Sequence, residues 1–156
     1  MLTEKEFCAY AEKYIDTVYR VAFSMLKNPH DADDITQETF LKLYTYTGKF
    51  QSDDHAKNWL IKVAINNCKN YFRAKWRSHD NLDDYAETLG FESKEQSELF
   101  SAVNSLEQKH RIVIHLHYFE GYSTKDIAQL LSISENTVST RLFRAKSKLK
   151  KLMTEV

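Results

Sequence analysis

Between Lys57 and Arg77, six cations are interleaved with four aromatic rings and three amides, and no acidic residue interrupts them. The cations are Lys57, Lys62, Lys69, Arg73, Lys75 and Arg77; the rings are Trp59, Tyr71, Phe72 and Trp76; the amides are Asn66, Asn67 and Asn70. Cations hold a phosphate backbone, flat rings stack on unpaired bases and amides reach base edges, so the block suits single-stranded nucleic acid. For any one ring a place in the core is the simpler reading; the block as a whole favours nucleic acid. A second basic tract runs from Arg141 to Lys151, with six basic residues and no acidic one. A third set has the opposite sign. Within Asp31-Ala-Asp-Asp-Ile-Thr-Gln-Glu-Thr-Phe-Leu41, the residues Asp34, Gln37, Glu38 and Leu41 recur at i, i+3, i+4 and i+7 and share one helix face. That stripe repels DNA and suits a basic protein surface. Carboxylates also favour a helix N-terminus, which accounts for Asp31, Asp33 and Asp34 better than for Gln37 and Glu38.

Other chemistries find little support. His110, His115 and His117 suggest a metal site, but spacings of five and two do not put three imidazoles on one helical face, and no carboxylate follows at ligand spacing. They read as surface or groove-lining histidines. No glycine-rich phosphate loop and no nucleophile motif is present. Cys8 and Cys68 form no Cys-x-x-Cys pair and read as reduced, buried thiols. No apolar run approaches the ~18 residues needed to span a membrane, and the acidic start from Met1 to Phe7 lacks a signal core. A cytoplasmic protein without stable membrane insertion is expected.

Charge is segregated along the 156 residues although it cancels overall. Residues 1–56 carry a balance of −4, residues 57–77 of +6, residues 78–107 of −7 and residues 108–156 of +5. Two basic blocks separated by an acidic one imply two anion-contacting surfaces on one chain. With 3 Gly and 1 Pro the composition argues against loop-rich and most all-β folds.

The elements that must position these groups read as helices. Phe7, Tyr14, Val18, Val21, Ala22 and Met25 lie on one face of a helix from Thr3 to Leu26. Asn28-Pro29 ends it, and Pro29 opens a second from Asp31 to about Tyr46, with Ile35, Phe40, Leu43 and Tyr44 inward. Gly48 closes that helix, and Lys49 to His55 is a loop, polar apart from Phe50. A third helix from about Ala56 to Arg77 carries Ile61, Ile65, Cys68 and Phe72 as its buried stripe. Ser78 to Gln96 reads as an acidic linker, with a short helical piece around Tyr85 to Leu89. Helices then follow over Ser97–Asn104, Glu107–Phe119, Thr124–Leu131 and Glu135 to about Met153.

The last two have the layout of a helix-turn-helix. Ser123 caps the first, with Asp126 completing a capping-box pattern. Ile127, Leu130 and Leu131 face inward, and Ala128 is small where a second helix crosses. Ser132-Ile133-Ser134 is the turn, with serine where glycine is more usual, and Ser134 caps the next helix. In that helix Val138, Leu142, Ala145, Leu149 and Leu152 face inward. Asn136, Thr140, Phe143, Arg144 and Ser147 face out, flanked by Ser139 and Arg141. Amides and hydroxyls near the helix start read base edges; Arg and Lys further along hold phosphates. Phe143 either meets a thymine methyl in the groove or packs on a neighbouring helix.

In this order the three elements resemble the extracytoplasmic-function sigma factors, the smallest sigma-70-type subunits of bacterial RNA polymerase, from about Phe7 to Leu152. The acidic segment resembles the family's core-binding helix. Trp59-Leu60, Ala64, Asn66, Asn70 and Arg73 resemble the helix that opens and reads the −10 element. Thr137-Val138, Arg141-Leu142, Arg144-Ala145 and Leu149 resemble the helix that reads the −35 element. The chain departs from the family pattern at Asn70, where aspartate is common, at Ala74, where a second basic residue is common, and at Glu107, where proline often follows the leucine.

The resemblance implies an all-α fold of two small helical domains joined by an acidic linker. Residues 1–77 form a region 2-like domain, 78–96 the linker, and 97–156 a region 4-like helix-turn-helix domain. It implies that Asp34, Gln37, Glu38 and Leu41 bind core polymerase. Trp59, Lys62, Asn66, Lys69, Asn70, Arg73, Lys75 and Arg77 bind the single-stranded −10 DNA. Asn136, Thr137, Ser139, Thr140, Arg141, Phe143, Arg144 and Lys146 bind the duplex −35 DNA. The partners implied are core RNA polymerase, promoter DNA and an anti-sigma factor; no catalytic residue and no cofactor is implied. A stand-alone helix-turn-helix regulator is the rival, and it leaves the aromatic-basic central helix without a task.

Overall fold

The structure, a computed structural model, describes residues 1–74 and 94–154, with side chains of the second stretch described from Ser97. The linker from 78 to 93, the helical piece near Tyr85, and Lys75, Trp76 and Arg77 lie outside the described residues. The chain divides into two folded units at Ser78. Among the described residues every regular element is helical.

The first unit is three helices: α1 (Glu4–Leu26), α2 (Pro29–Tyr44) and α3 (Asp53–Ala74), each packed on the other two. Helix α1 starts at a capping box. Thr3 Oγ1 accepts from the Glu6 N–H, and Glu6 Oε1 accepts from the Thr3 N–H, both at 3.1 Å. The backbone bond from Thr3 holds the Glu6 carboxyl below the usual carboxylate range. The α1 stripe is buried at Tyr14, Val18, Val21, Ala22 and Met25. Cys8 is exposed, contrary to expectation, because it lies roughly a quarter-turn off that stripe near the helix end. Lys27 stops α1 in the left-handed conformation (φ 59°), and Asn28 Oδ1 caps α2 through the Asp31 N–H at 3.0 Å, with Pro29 in the first turn. Helix α3 begins at Asp53, ahead of Ala56, where Asp53 ties it to α1: Lys13 Nζ is 2.7 Å from its carboxylate, and Tyr14 Oη donates to its carbonyl at 3.2 Å. Tyr14, Val18, Phe40, Leu43, Leu60 and Ala64 form the centre of this core. Removing Val18, Phe40, Leu43 and Leu60 from water contributes about 1.5–3 kcal/mol each.

The second unit contains α4 (Lys94–Asn104), α5 (Gln108–Ile114), α6 (Thr124–Leu131) and α7 (Glu135–Thr154). Helix α4 begins three residues ahead of Ser97. Glu107 occupies the N-cap of α5 without a side-chain cap bond. The buried Arg111 guanidinium instead donates to Leu106 O at 2.7 Å, which satisfies the carbonyl of that turn. Burial lowers its pKa to about 10, so it stays charged at neutral pH. The expected helix to Phe119 is α over Gln108–Ile114 and widens into one π-type turn over His115–Phe119. Helix α7 packs against α4, α5 and α6. Its buried residues are Val138, Leu142 and Ala145, while Leu149 and Leu152 are half-buried.

Candidate nucleic-acid and protein interfaces

The back of α2 is buried at Ala32, Ile35, Thr36, Thr39, Phe40 and Leu43. That face turns Asp34, Gln37, Glu38 and Leu41 outward together, all exposed, with Leu41 66 % exposed. Tyr44 is not inward as expected; it is 57 % exposed, at the end of α2, its ring edge-on to Phe7 at 5.5 Å. With Phe7, Ala11, Ile15, Phe40 and Leu41 it lines an apolar groove of about 560 Å³ between α1 and α2, which Gln37 also borders. Sequence reasoning missed this groove. Its one signal was Ile15, an apolar residue beside the α1 stripe that the stripe did not use.

Helix α3 is held at its start by Ser52, whose Oγ accepts from the His55 N–H at 3.1 Å. It buries Leu60, Ile61, Ala64, Ile65 and Cys68. Lys62, Asn66, Lys69, Asn70 and Arg73 are exposed together. Trp59 is half-buried, packed on Tyr46 (4.7 Å between centroids) and Phe50 (5.7 Å), so its ring also anchors the loop before α3. Phe50 lies inside an aromatic cluster, with Tyr46 stacked on it at 4.8 Å and Tyr10 and His55 edge-on. Two expectations are corrected here. Asn67 is not a free base-reading amide: it is 3 % exposed and bonded to α2. Phe72, expected in the buried stripe, is half-buried, two residues before the last described residue of α3. Cys68 is buried; burial first, and the Glu38 charge second, push its thiol up to about 12.

In the second unit, Ser123 Oγ accepts from the Asp126 N–H at 3.1 Å and starts α6. Ile127, Ala128, Leu130 and Leu131 are its buried face. Ser132 takes the left-handed conformation (φ 58°, ψ 45°) in which glycine is usual; a side chain there costs roughly 1–2 kcal/mol. Ile133 N donates back to Ala128 O at 3.0 Å and closes the turn. Ser134 Oγ caps α7 through the Thr137 N–H at 3.1 Å and lies 2.8 Å from Thr137 Oγ1, so that hydroxyl is already engaged. Along α7 the residues Asn136, Ser139, Thr140, Phe143, Arg144 and Lys146 are exposed, and Arg141 and Thr137 half-buried. Phe143 is 71 % exposed, which removes the reading in which it packs on a neighbouring helix. Lys146 Nζ lies 5.1 Å from the centre of the Tyr118 ring. Tyr118 and Phe119, both more than half exposed, are surface aromatics that a continuous helix had not singled out.

The three histidines do not line the surface. His110 and His115 are buried, and His117 is half-buried with Nδ1 donating to Tyr122 O at 2.9 Å. Nε2 of His115 faces Glu120 Oε1 at 3.8 Å. The imidazoles serve packing and turn closure, and no group of three metal-ligating side chains gathers among the described residues.

Comparison with known proteins agrees with this arrangement. Residues 10–78 match the family model for Sigma-70 region 2, and residues 96–149 that for Sigma-70, region 4. The chain is 32 % identical over 152 residues to the ECF RNA polymerase sigma factor SigM of Bacillus subtilis, covering 90 % of this chain and 91 % of that one. It is 32 % identical over 133 residues to the RNA polymerase sigma factor SigV of the same organism, covering 81 % and 78 %. The ECF RNA polymerase sigma-E factor of Escherichia coli is 32 % identical over 134 residues, covering 74 % and 70 %. Among solved structures, the sigma factor RpoE of Bartonella quintana, crystallised with the anti-sigma factor NepR, superposes with a TM-score of 0.74 at 20 % identity, covering 96 % and 98 %. The fold and the two matched regions occur together and in order, and the chain belongs to the extracytoplasmic-function group of the sigma-70 family of RNA polymerase sigma factors.

Proposed function

We propose that this sigma factor engages core RNA polymerase through α2, captures the unpaired −10 strand with α3, and reads the duplex −35 element with α7. The observation that carries the reading is that α2 and α3 present opposite chemistries outward from one folded unit. Asp34, Gln37, Glu38 and Leu41 are exposed on α2; Lys62, Asn66, Lys69, Asn70 and Arg73 are exposed on α3 with no acid among them. Trp59 supplies the flat surface on which a base stacks, and Lys75 and Arg77 extend the cationic run. Stacking contributes about 1–3 kcal/mol per base, which offsets the few kcal/mol of unstacking. On α7, the exposed Asn136, Ser139 and Thr140 face base edges, while the Thr137 hydroxyl is taken up by Ser134. Arg141, Arg144 and Lys146 hold phosphates, and Phe143 contacts a thymine methyl.

Residues 1–77 are then the polymerase and −10 domain; because α4 already starts at Lys94, ahead of the expected boundary at Ser97, residues 94–156 are the −35 domain and 78–93 the acidic linker between them. The polymerase sets the spacing of the two DNA-reading domains, and the −7 balance over residues 78–107 keeps the linker off DNA. The chain works in the cytoplasm, where polymerase and chromosome are, and performs no catalytic step of its own. The sigma factor RpoE of Bartonella quintana was co-crystallised with the anti-sigma factor NepR, and CnrH has a structure in complex with the cytosolic domain of CnrY; an anti-sigma factor covering the contact faces of this chain is the corresponding proposal.

Reconstituted run-off transcription tests the function, using bacterial core polymerase, this protein and promoter fragments that include the DNA upstream of its own gene. Transcripts from one start site that require the protein are expected. No transcript, together with tight binding of the protein alone to symmetric duplex sites, would replace this reading with that of a stand-alone regulator.

A further inference from the structure

One polar residue, Asn67, is buried on α3, and α2 engages both ends of its amide. Lys42 Nζ donates to Asn67 Oδ1 at 2.9 Å, and Asn67 Nδ2 donates to Thr39 Oγ1 at 3.3 Å. Thr39 is itself fully buried and donates onward to Ile35 O at 2.7 Å. The amide's orientation follows from chemistry: an ammonium only donates, so it must face the oxygen.

Helix geometry relates this bond to the two contact faces. At roughly 100° per residue, Trp59, Lys62, Asn66, Lys69, Asn70 and Arg73 fall within an arc of roughly 100° on α3, centred about 110° from Asn67. Asp34, Gln37, Glu38 and Leu41 fill a similar arc on α2, centred roughly 150° from Thr39. The amide therefore joins the side of α2 turned away from its docking stripe to the flank of the α3 arc. An apolar seam specifies rotation about a helix axis weakly, because Ala, Leu and Ile side chains accept many neighbours. A buried amide with assigned partners specifies it strongly, as single buried asparagines do in helix pairs. A one-residue turn of α3 would carry the arc through its full width.

We propose that Asn67 is a positioning residue for strand opening, holding α3 against α2 in the register that presents Trp59, Asn66 and Asn70 to unpaired bases. The proposal rests on the function given above, and wild-type protein separates the two: if it fails to open DNA with core polymerase, the sigma reading falls first. The experiment uses the full chain with core polymerase and a promoter carrying 2-aminopurine in the −10 element. Asn67→Leu should bind core polymerase within about twofold of wild type yet open the promoter about tenfold more slowly, the equivalent of one hydrogen bond to a charged group. Lys42→Met, on an exposed side chain that leaves the core intact, should slow opening in the same direction by a smaller factor, and it decides the matter if the leucine variant does not fold. Opening at the wild-type rate in the folded variants would overturn the proposal. Equal loss of core binding and opening in a folded variant would also overturn it, because it would reduce Asn67 to a general structural role.

Discussion

Replacing the buried His110 with leucine should stabilise the unit that carries α7. His110 is 8 % exposed, and neither ring nitrogen has a hydrogen-bond partner among the described residues. A neutral imidazole has one donor and one acceptor nitrogen. Each left unmet costs about 1–3 kcal/mol, and leucine fills nearly the same volume with no polar atom. Allowing for imperfect packing, the expected gain is about 1–3 kcal/mol, which in a domain of this size class raises Tm by about 4 °C or more. Acid should widen the difference. Burial holds the His110 pKa below its usual value; Glu107 opposes this, and Lys109, Lys148 and Arg141 reinforce it. The unfolded chain therefore takes up the proton first as pH falls through about 6.5. The wild-type stability tied to this group is complete above that pH and is lost progressively below it, towards the depressed folded value. The leucine variant lacks that loss. Thermal unfolding of the full chain, followed by circular dichroism at about pH 7.5 and about pH 5.5, measures both effects. A variant no more stable than wild type at the higher pH would refute the account of unmet nitrogens. A gap that narrows in acid would refute the account of the titration.

Other outcomes follow from the exposed faces and the thiols. Arg144→Ala should weaken holoenzyme binding to promoter duplex and reduce the slope of log affinity against log salt by about 1; an unchanged slope would remove Arg144 from the phosphate contacts. Glu38→Lys alters an exposed position, so the melting curve should hold while affinity for core polymerase falls severalfold in a fluorescence titration; unaltered affinity would count against the α2 docking face. A thiol reagent at neutral pH should modify Cys8 in the native protein and spare Cys68, whose pKa is raised to about 12. In denaturant both should react. Rapid native labelling of Cys68 would show that the α2–α3 seam opens readily.

What could be read without folding the chain was what repeats locally. Helix positions followed from the spacing of Val18, Val21, Ala22, Leu130, Leu131, Val138 and Leu142, all of which are buried. The caps at Ser123 and Ser134 followed from short-range hydroxyl chemistry, and the exposure of Asp34, Gln37, Glu38 and Leu41 from their common face. Periodicity identifies the apolar side of a helix, and whatever shares the opposite side is thereby placed in solvent. The same rule cannot say what meets a residue on the border of a face, or one near a helix end, because that depends on partners distant in sequence. Asn67 looked like one more surface amide beside Asn66 and Asn70 until Lys42 and Thr39, some twenty-five residues earlier, closed on it. Tyr44 looked inward by spacing, yet stands exposed where α2 ends. Cys8 and Cys68 looked alike and have opposite exposure. His110 and His115 looked like surface groups, and packing buried them. Local chemistry determined which helices form and which of their faces stand in solvent. Long-range packing determined which polar groups are spent inside, because their partners, as Lys42 and Thr39 are for Asn67, lie far away in sequence.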